Sequence, residues 1–170
     1  MFLTVGCGRN DDTGHISEET RRRLRTLDDS IDAMSPKSLS MIAGGMASAV
    51  DSLTWYGYYL RYARYYYLSQ TPDSMLPYID RTLDFADSRK PGPAVNGIKA
   101  FALELKADYS HMYRKNHDEV IGLHTEAYDL MMRSDNKGSL PEICANLADA
   151  YAQISDMAQA AAWYRRALFL

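Results

Sequence analysis

Few residues in this 170-residue chain have a type and spacing suited to chemistry, and each group implies a different reaction. Cys7 and Cys144 would form a disulfide, a redox couple or part of a zinc site if close in sequence; they stand at opposite ends of the chain and match none of those spacings. Cys144, among Ile143, Ala145 and Leu147, reads as a small buried hydrophobe. His111, His117 and His124 would suit zinc only as an i, i+4 pair on one helical face. They lie six and seven residues apart across an expected turn, and read as solvated. Arg21, Arg22, Arg23 and Arg25 would suit a phosphate, but Glu18, Glu19, Asp28 and Asp29 on the same segment answer them as local ion pairs. GxxxxGK, GxSxG, HExxH and dinucleotide glycine motifs are all missing. The sequence therefore assigns no catalytic residue, no metal ligand and no cofactor, and reads as a non-enzyme.

The most unusual stretch runs from Trp55 to Tyr67 and holds seven of the 13 tyrosines. As a helix it places Tyr59, Tyr62 and Tyr66 on one side and Tyr56, Leu60, Ala63 and Tyr67 on another, so it must be covered on most sides. Two readings stay open. The rings fill space between helices with their hydroxyls reaching solvent, or phenols and guanidiniums together grip a peptide's backbone and carboxylates.

Composition limits what such residues can serve. A hydrophobic share of 46% and a charged share of 24% suit one folded domain, and a net charge of −3 gives no positive field to draw nucleic acid. The longest apolar stretch, 41–50, is broken by Gly44, Gly45 and Ser48 and is about half of the ~20 residues that cross a bilayer. Apolar spacing is helical nearly throughout, so the chain is expected to be all-α, with helices over 18–33, 36–51, 53–69, 72–88, 93–114, 117–133, 140–154 and 157–170. Ser35 and Thr71, each before a proline, are expected N-caps. Ser139 with Glu142, Asn116 with Glu119, and Asp156 with Gln159 have capping-box spacing. Ser35-Pro36-Lys37-Ser38-Leu39 and Thr71-Pro72-Asp73-Ser74-Met75 share one pattern 36 residues apart, each opening the second helix of a pair. Four antiparallel pairs at such a period predict an α-solenoid.

The last pair resembles a tetratricopeptide repeat (TPR) through Leu147, Ala148, Tyr151, Ala160, Tyr164, Ala167 and Leu168. The pair over 56–88 is similar through Tyr59, Tyr62, Ala63, Tyr66, Met75, Ile79 and Leu83. The pair over 93–133 fits with a longer turn, through Ala102, Leu105, Tyr109, Val120, Ile121 and Ala127, while Lys106 and His124 depart from the pattern. Leu24, Leu27, Ile31 and Met34 mark the first pair as a degenerate repeat or an N-terminal cap. The resemblance implies a right-handed solenoid over 17–170, about four pairs with the last truncated, whose first helices line a concave groove. It places Arg61, Arg64, Tyr67, Glu104, His111, Asn146, Asp149 and Gln153 in that groove. The implied role is a scaffold that binds a protein or peptide partner without catalysis; the alternative is the periplasmic sensor or input region of a longer signalling or transcription-regulating protein.

The N-terminus, 1–16, is expected to be flexible. Met1-Phe2-Leu3-Thr4-Val5-Gly6 before Cys7 resembles the end of a bacterial lipoprotein signal, with Cys7 as the lipidated residue, although the usual leucine position holds Thr4. The alternative is an incidental cysteine in a disordered segment. The first reading implies a periplasmic or membrane-anchored lipoprotein, touching the membrane only through Cys7; the second leaves a cytoplasmic location open. At the other end, Ala167-Leu168-Phe169-Leu170 closes on apolar residues inside a second helix, which implies further downstream sequence or a self-association surface.

Overall fold

Leu24, Leu27 and Ile31 recur at helical spacing, and burying that stripe against Ile42 and Tyr58 makes the first amphipathic helix. The computed structural model describes residues 15–170, which hold nine α-helices and no strand. The helices are α1 (Glu18–Asp32), α2 (Ser38–Ser48), α3 (Ser52–Tyr59), α4 (Arg61–Leu68), α5 (Leu76–Asp87), α6 (Pro93–Tyr109), α7 (His117–Met132), α8 (Leu140–Gln153) and α9 (Met157–Leu168). A 3-10 turn, Pro72–Ser74, precedes α5, and a π turn, Ser110–Arg114, extends α6. The all-helical expectation is met. None of these helices is long and apolar enough to cross a membrane.

The single helix expected over 53–69 is bent at Leu60, where Ala63 N bonds back to the Leu60 carbonyl at 3.0 Å in a tightened turn while Arg64 N lies 3.4 Å from the same oxygen. Capping follows side-chain chemistry where the cap backbone is not helical. Asn116 Oδ1 accepts from Glu119 N at 3.2 Å and Asp156 Oδ1 from Gln159 N at 3.1 Å, while Ser17 and Asp51 cap α1 and α3 in the same way. Ser139 does not cap α8, because its backbone is already helical and its hydroxyl makes no capping bond. Thr71 turns its hydroxyl back to the Tyr66 carbonyl, and Ser35 accepts from Lys37 N.

Each helix packs on its neighbours in sequence, and the pairs expected from the sequence correspond to α1/α2, α3–α4/α5, α6/α7 and α8/α9. The pairs share one closing device. Met34, Gln70, Lys115 and Ser155 follow the first helix of the four pairs and hold φ between 48° and 64°, the left-handed region. After three of them the chain makes the same six-to-one bond: Ser35 N to Ser30 O, Thr71 N to Tyr66 O and Asp156 N to Tyr151 O, at 2.9 to 3.0 Å. The fourth substitutes the π turn, with Lys115 N donating to Ser110 O at 2.8 Å.

Two cores hold the later pairs. Leu60, Ala63, Met75 and Ile79 pack with Ala102 and Leu105 between α4, α5 and α6, and Ala100, Leu103, Ala127, Ile143 and Leu147 pack between α6, α7 and α8. Cys144 is buried beside the second and acts as a packing residue, its thiol pushed up in pKa by burial. The tyrosines adopt the space-filling arrangement. Tyr59, Tyr62 and Tyr66 converge on Tyr78 of α5 with centroids 4.9, 5.1 and 5.7 Å away, and Tyr56 stacks on Phe85 at 3.9 Å.

Candidate functional site

The residues expected in the groove divide between two places. Arg61 and Arg64 face α1, not open solvent. Arg61 donates to both carboxylate oxygens of Asp28 at 3.0 and 2.8 Å and lies over the Phe101 ring at 4.8 Å, and Arg64 donates to Asp32 at 2.9 and 3.0 Å. Both guanidiniums are therefore paired with α1 by geometry of the bidentate type and lie apart from the other residues expected in the groove. The physical cause is tertiary. The acids of α1 recur at i, i+4 and the arginines at i, i+3, each about one helical turn, so the two helices zip along that edge.

Tyr67, His111, Asn146, Asp149 and Gln153 do come together. They line one cleft of about 480 Å³ between α4, α6, the π turn, α7 and α8. Asn146, Asp149 and Gln153 stand one helical turn apart along α8, and Tyr67 comes from the last turn of α4. Asp149 also accepts a hydrogen bond from the Tyr164 hydroxyl of α9, which ties the last helix to the cleft wall. Glu104 does not line the cleft. It is 5% exposed in α6, and burial, reinforced by the nearby charges of Glu142 and Asp108, holds its carboxyl well above the usual carboxylate range despite the opposing Arg64.

Two titratable residues of the cleft were not expected there from the sequence. Asp108 lies one turn beyond Glu104 on α6, and burial followed by the Glu142 charge pushes its carboxyl up to about 7. His124 is 2% exposed, against the expectation that it is solvated, and its Nδ1 has no hydrogen-bond partner among the described residues. Burial, with His111 nearby, pushes it down to about 4, so the ring is neutral near pH 7. The signals were present. Asp108 is the i+4 neighbour of an expected groove residue, and Val120, His124, Ala127 and Met131 form one helical stripe in which the histidine holds a core position.

Comparison with protein-family models, curated proteins and solved structures returns no match. The site is therefore read from its own side chains. The described residues contain no cluster of His, Cys, Asp and Glu arranged to hold a metal ion. The cleft presents carboxylates, amides, a phenol and imidazoles. A second cavity, about 330 Å³, lies between α1, α4, α6 and the turn after α7, where Arg21, Arg61 and Arg64 are each paired with an acid. Cys7 lies outside the described residues.

Proposed function

We propose that this chain is a TPR-like α-solenoid that binds a protein or peptide segment and performs no chemistry of its own. The observation that carries the reading is the cleft itself: five of the eight side chains assigned to a groove from the repeat register line one concavity, contributed by the first helices of three successive pairs. The left-handed closing residue that recurs in all four pairs supports a repeating architecture. The polar lining supports recognition of a peptide through its backbone and side chains, since amide and phenol groups both donate and accept.

The test is selection of binders from a displayed random-peptide library, followed by titration of a selected peptide into the wild type and an Asn146→Ala/Gln153→Ala double variant. Loss of binding in the variant is expected; undiminished binding would remove the cleft from the proposal. Leu168, Phe169 and Leu170 are exposed, the first two at 82% and 84%, and support a second contact through α9, self-association, which concentration-dependent sedimentation measures. A lipid anchor at Cys7 is part of the same proposal, and intact-mass analysis of the membrane-extracted protein tests it.

A further inference from the structure

We propose that the groove between α1 and α2 docks an amphipathic helix of a partner protein, one that carries carboxylates beside its apolar face. This surface belongs to the first pair and is separate from the cleft between α4, α6, α7 and α8.

The floor of the groove is nearly bare backbone. Met41, Gly44, Gly45 and Ser48 recur along one side of α2, and the space over them measures about 390 Å³. The two glycines lack a side chain for different reasons. A Cβ on Gly45 would strike the Tyr58 ring, whereas a Cβ on Gly44 meets nothing within 4 Å. No neighbour among the described residues therefore requires a glycine at 44, and inside a helix glycine is less favourable than alanine. What it does permit is close approach of a second backbone. The floor from Met41 to Ser48 is about 10 Å long, roughly two turns, which suits a helix laid against α1 and α2 at ordinary helix-packing distance.

The second observation is independent of the glycines. Tyr58 is 5% exposed, and its ring lies across Gly45 with Cζ, which carries the hydroxyl, 2.6 Å from where a Cβ would stand. The hydroxyl therefore sits at the groove floor, and it makes no hydrogen bond among the described residues. A side chain so deeply buried with its one polar atom unmatched offers an incoming group both a donor and an acceptor. The charge of the occupant follows from the rim. Arg22 and Arg23 of α1 line the groove and neither Asp nor Glu does. Arg23 is held by Glu19 in an exposed pair, a weak competitor for a new carboxylate. The Arg22 guanidinium makes no ion pair or hydrogen bond among the described residues, because nearby Glu18 is bonded to Arg25. A carboxylate on the occupant would meet Arg22 directly, with Leu27 and Met41 receiving its apolar face. The exposed helix α9 of a second copy is the wrong occupant, since it carries Arg165 and Arg166 and no acid and would set like charges together.

The test uses the full chain and two short, stapled helical peptides with the same leucine and alanine face, one carrying glutamates beside it and the other lysines. Nitrogen-15 amide signals of Gly44 and Gly45 report at the groove floor, and calorimetry gives affinity. The acidic peptide should move both signals saturably and bind at least roughly tenfold more tightly than the basic one. Arg22→Gln should weaken it roughly tenfold, as loss of a charge-assisted bond predicts, and Tyr58→Phe, which keeps the ring and removes the hydroxyl, about fivefold. Gly44→Leu puts a side chain into the open space and should abolish binding, with circular dichroism confirming the fold. Gly44→Ala, whose Cβ meets nothing, gives a milder block of the same kind should leucine disturb the helix. Equal binding of the two peptides with Arg22→Gln indifferent overturns the acidic occupant. Binding that survives Gly44→Leu, or that moves Asn146 and Gln153 of the cleft in place of the two glycines, overturns the groove as the site. If neither peptide moves Gly44 and Gly45, the whole proposal is overturned.

Discussion

The guanidinium of Arg21 in α1 donates to the side chain and the backbone carbonyl of Asp135 in the turn after α7, 114 residues further along. Both side chains are largely buried, 14% and 19% exposed, and His15 Nδ1 lies 2.8 Å from the same carboxylate. This contact links α1 directly to the turn between α7 and α8. Asp135→Ala leaves a largely buried guanidinium without its carboxylate and should cost about 1–3 kcal/mol. Asp135→Asn, which keeps an acceptor, should cost less. Urea unfolding of the two variants measures both, and equal losses would mean that the charge contributes nothing.

The raised carboxyl of Asp108 sets a pH dependence. Its ordinary value of 3.8 becomes about 7 in the fold, so the folded state keeps a proton that the unfolded chain has lost. Stability from this group is fully present below about pH 4 and is lost as pH rises towards 7. His124, lowered to about 4 from 6.5, acts in the opposite sense, losing its contribution as pH falls through that window. Asp108→Asn should therefore match the wild type near pH 4 and exceed it by ~1–3 kcal/mol at pH 8, since the histidine cancels in the difference. Chemical unfolding at the two pH values checks this, and a constant gap would contradict it.

Gln70 holds φ 55° with an exposed side chain, a conformation that costs an L-residue about 1–2 kcal/mol and glycine far less. Gln70→Gly should raise stability by up to ~1 kcal/mol, and Gln70→Val should lower it. Melting temperatures of the pair are the measurement. Shifts in the same direction would rule out backbone strain as the cause.

Adjacent glycines of α2 should respond with opposite signs. A Cβ on Gly44 meets open space, so Gly44→Ala gains roughly 0.5–1 kcal/mol of helix propensity. A Cβ on Gly45 would strike the ring of Tyr58, which is buried in the first core, so Gly45→Ala should cost ~1–3 kcal/mol. Thermal denaturation of the two alanine variants decides the matter.

Local chemistry was legible in the sequence wherever local chemistry decides the outcome. Helices α1 and α7 start and end within a residue of their expected bounds, because apolar spacing and the Asn116 cap act over a few residues. That Asn146, Asp149 and Gln153 share a face was legible because the register of one helix, α8, fixes it. The ion pairs of Arg61 and Arg64 were not legible for the opposite reason: their partners, Asp28 and Asp32, lie over 30 residues upstream, and no local pattern shows which face of α4 the first helix covers. His124 was judged by its distance from other histidines, while the stripe of Val120, Ala127 and Met131 that buries it belongs to helix packing.

The aromatic rings described in the fold also give the molecule two separate optical reporters. Trp55 stacks on Tyr59 at 4.7 Å, at the head of the tyrosine seam of the second pair, and Trp163 meets Tyr128 edge-on at 5.1 Å between the third and fourth pairs. The chain holds two tryptophans, so replacing either with phenylalanine leaves fluorescence from one end alone. Transfer of excitation from the seam to Trp55 weakens as those rings move apart, and Trp163 follows the fate of α9. Whether the two signals are lost together or in sequence during unfolding would show if the brace from Arg21 to Asp135 makes the helices melt as one unit.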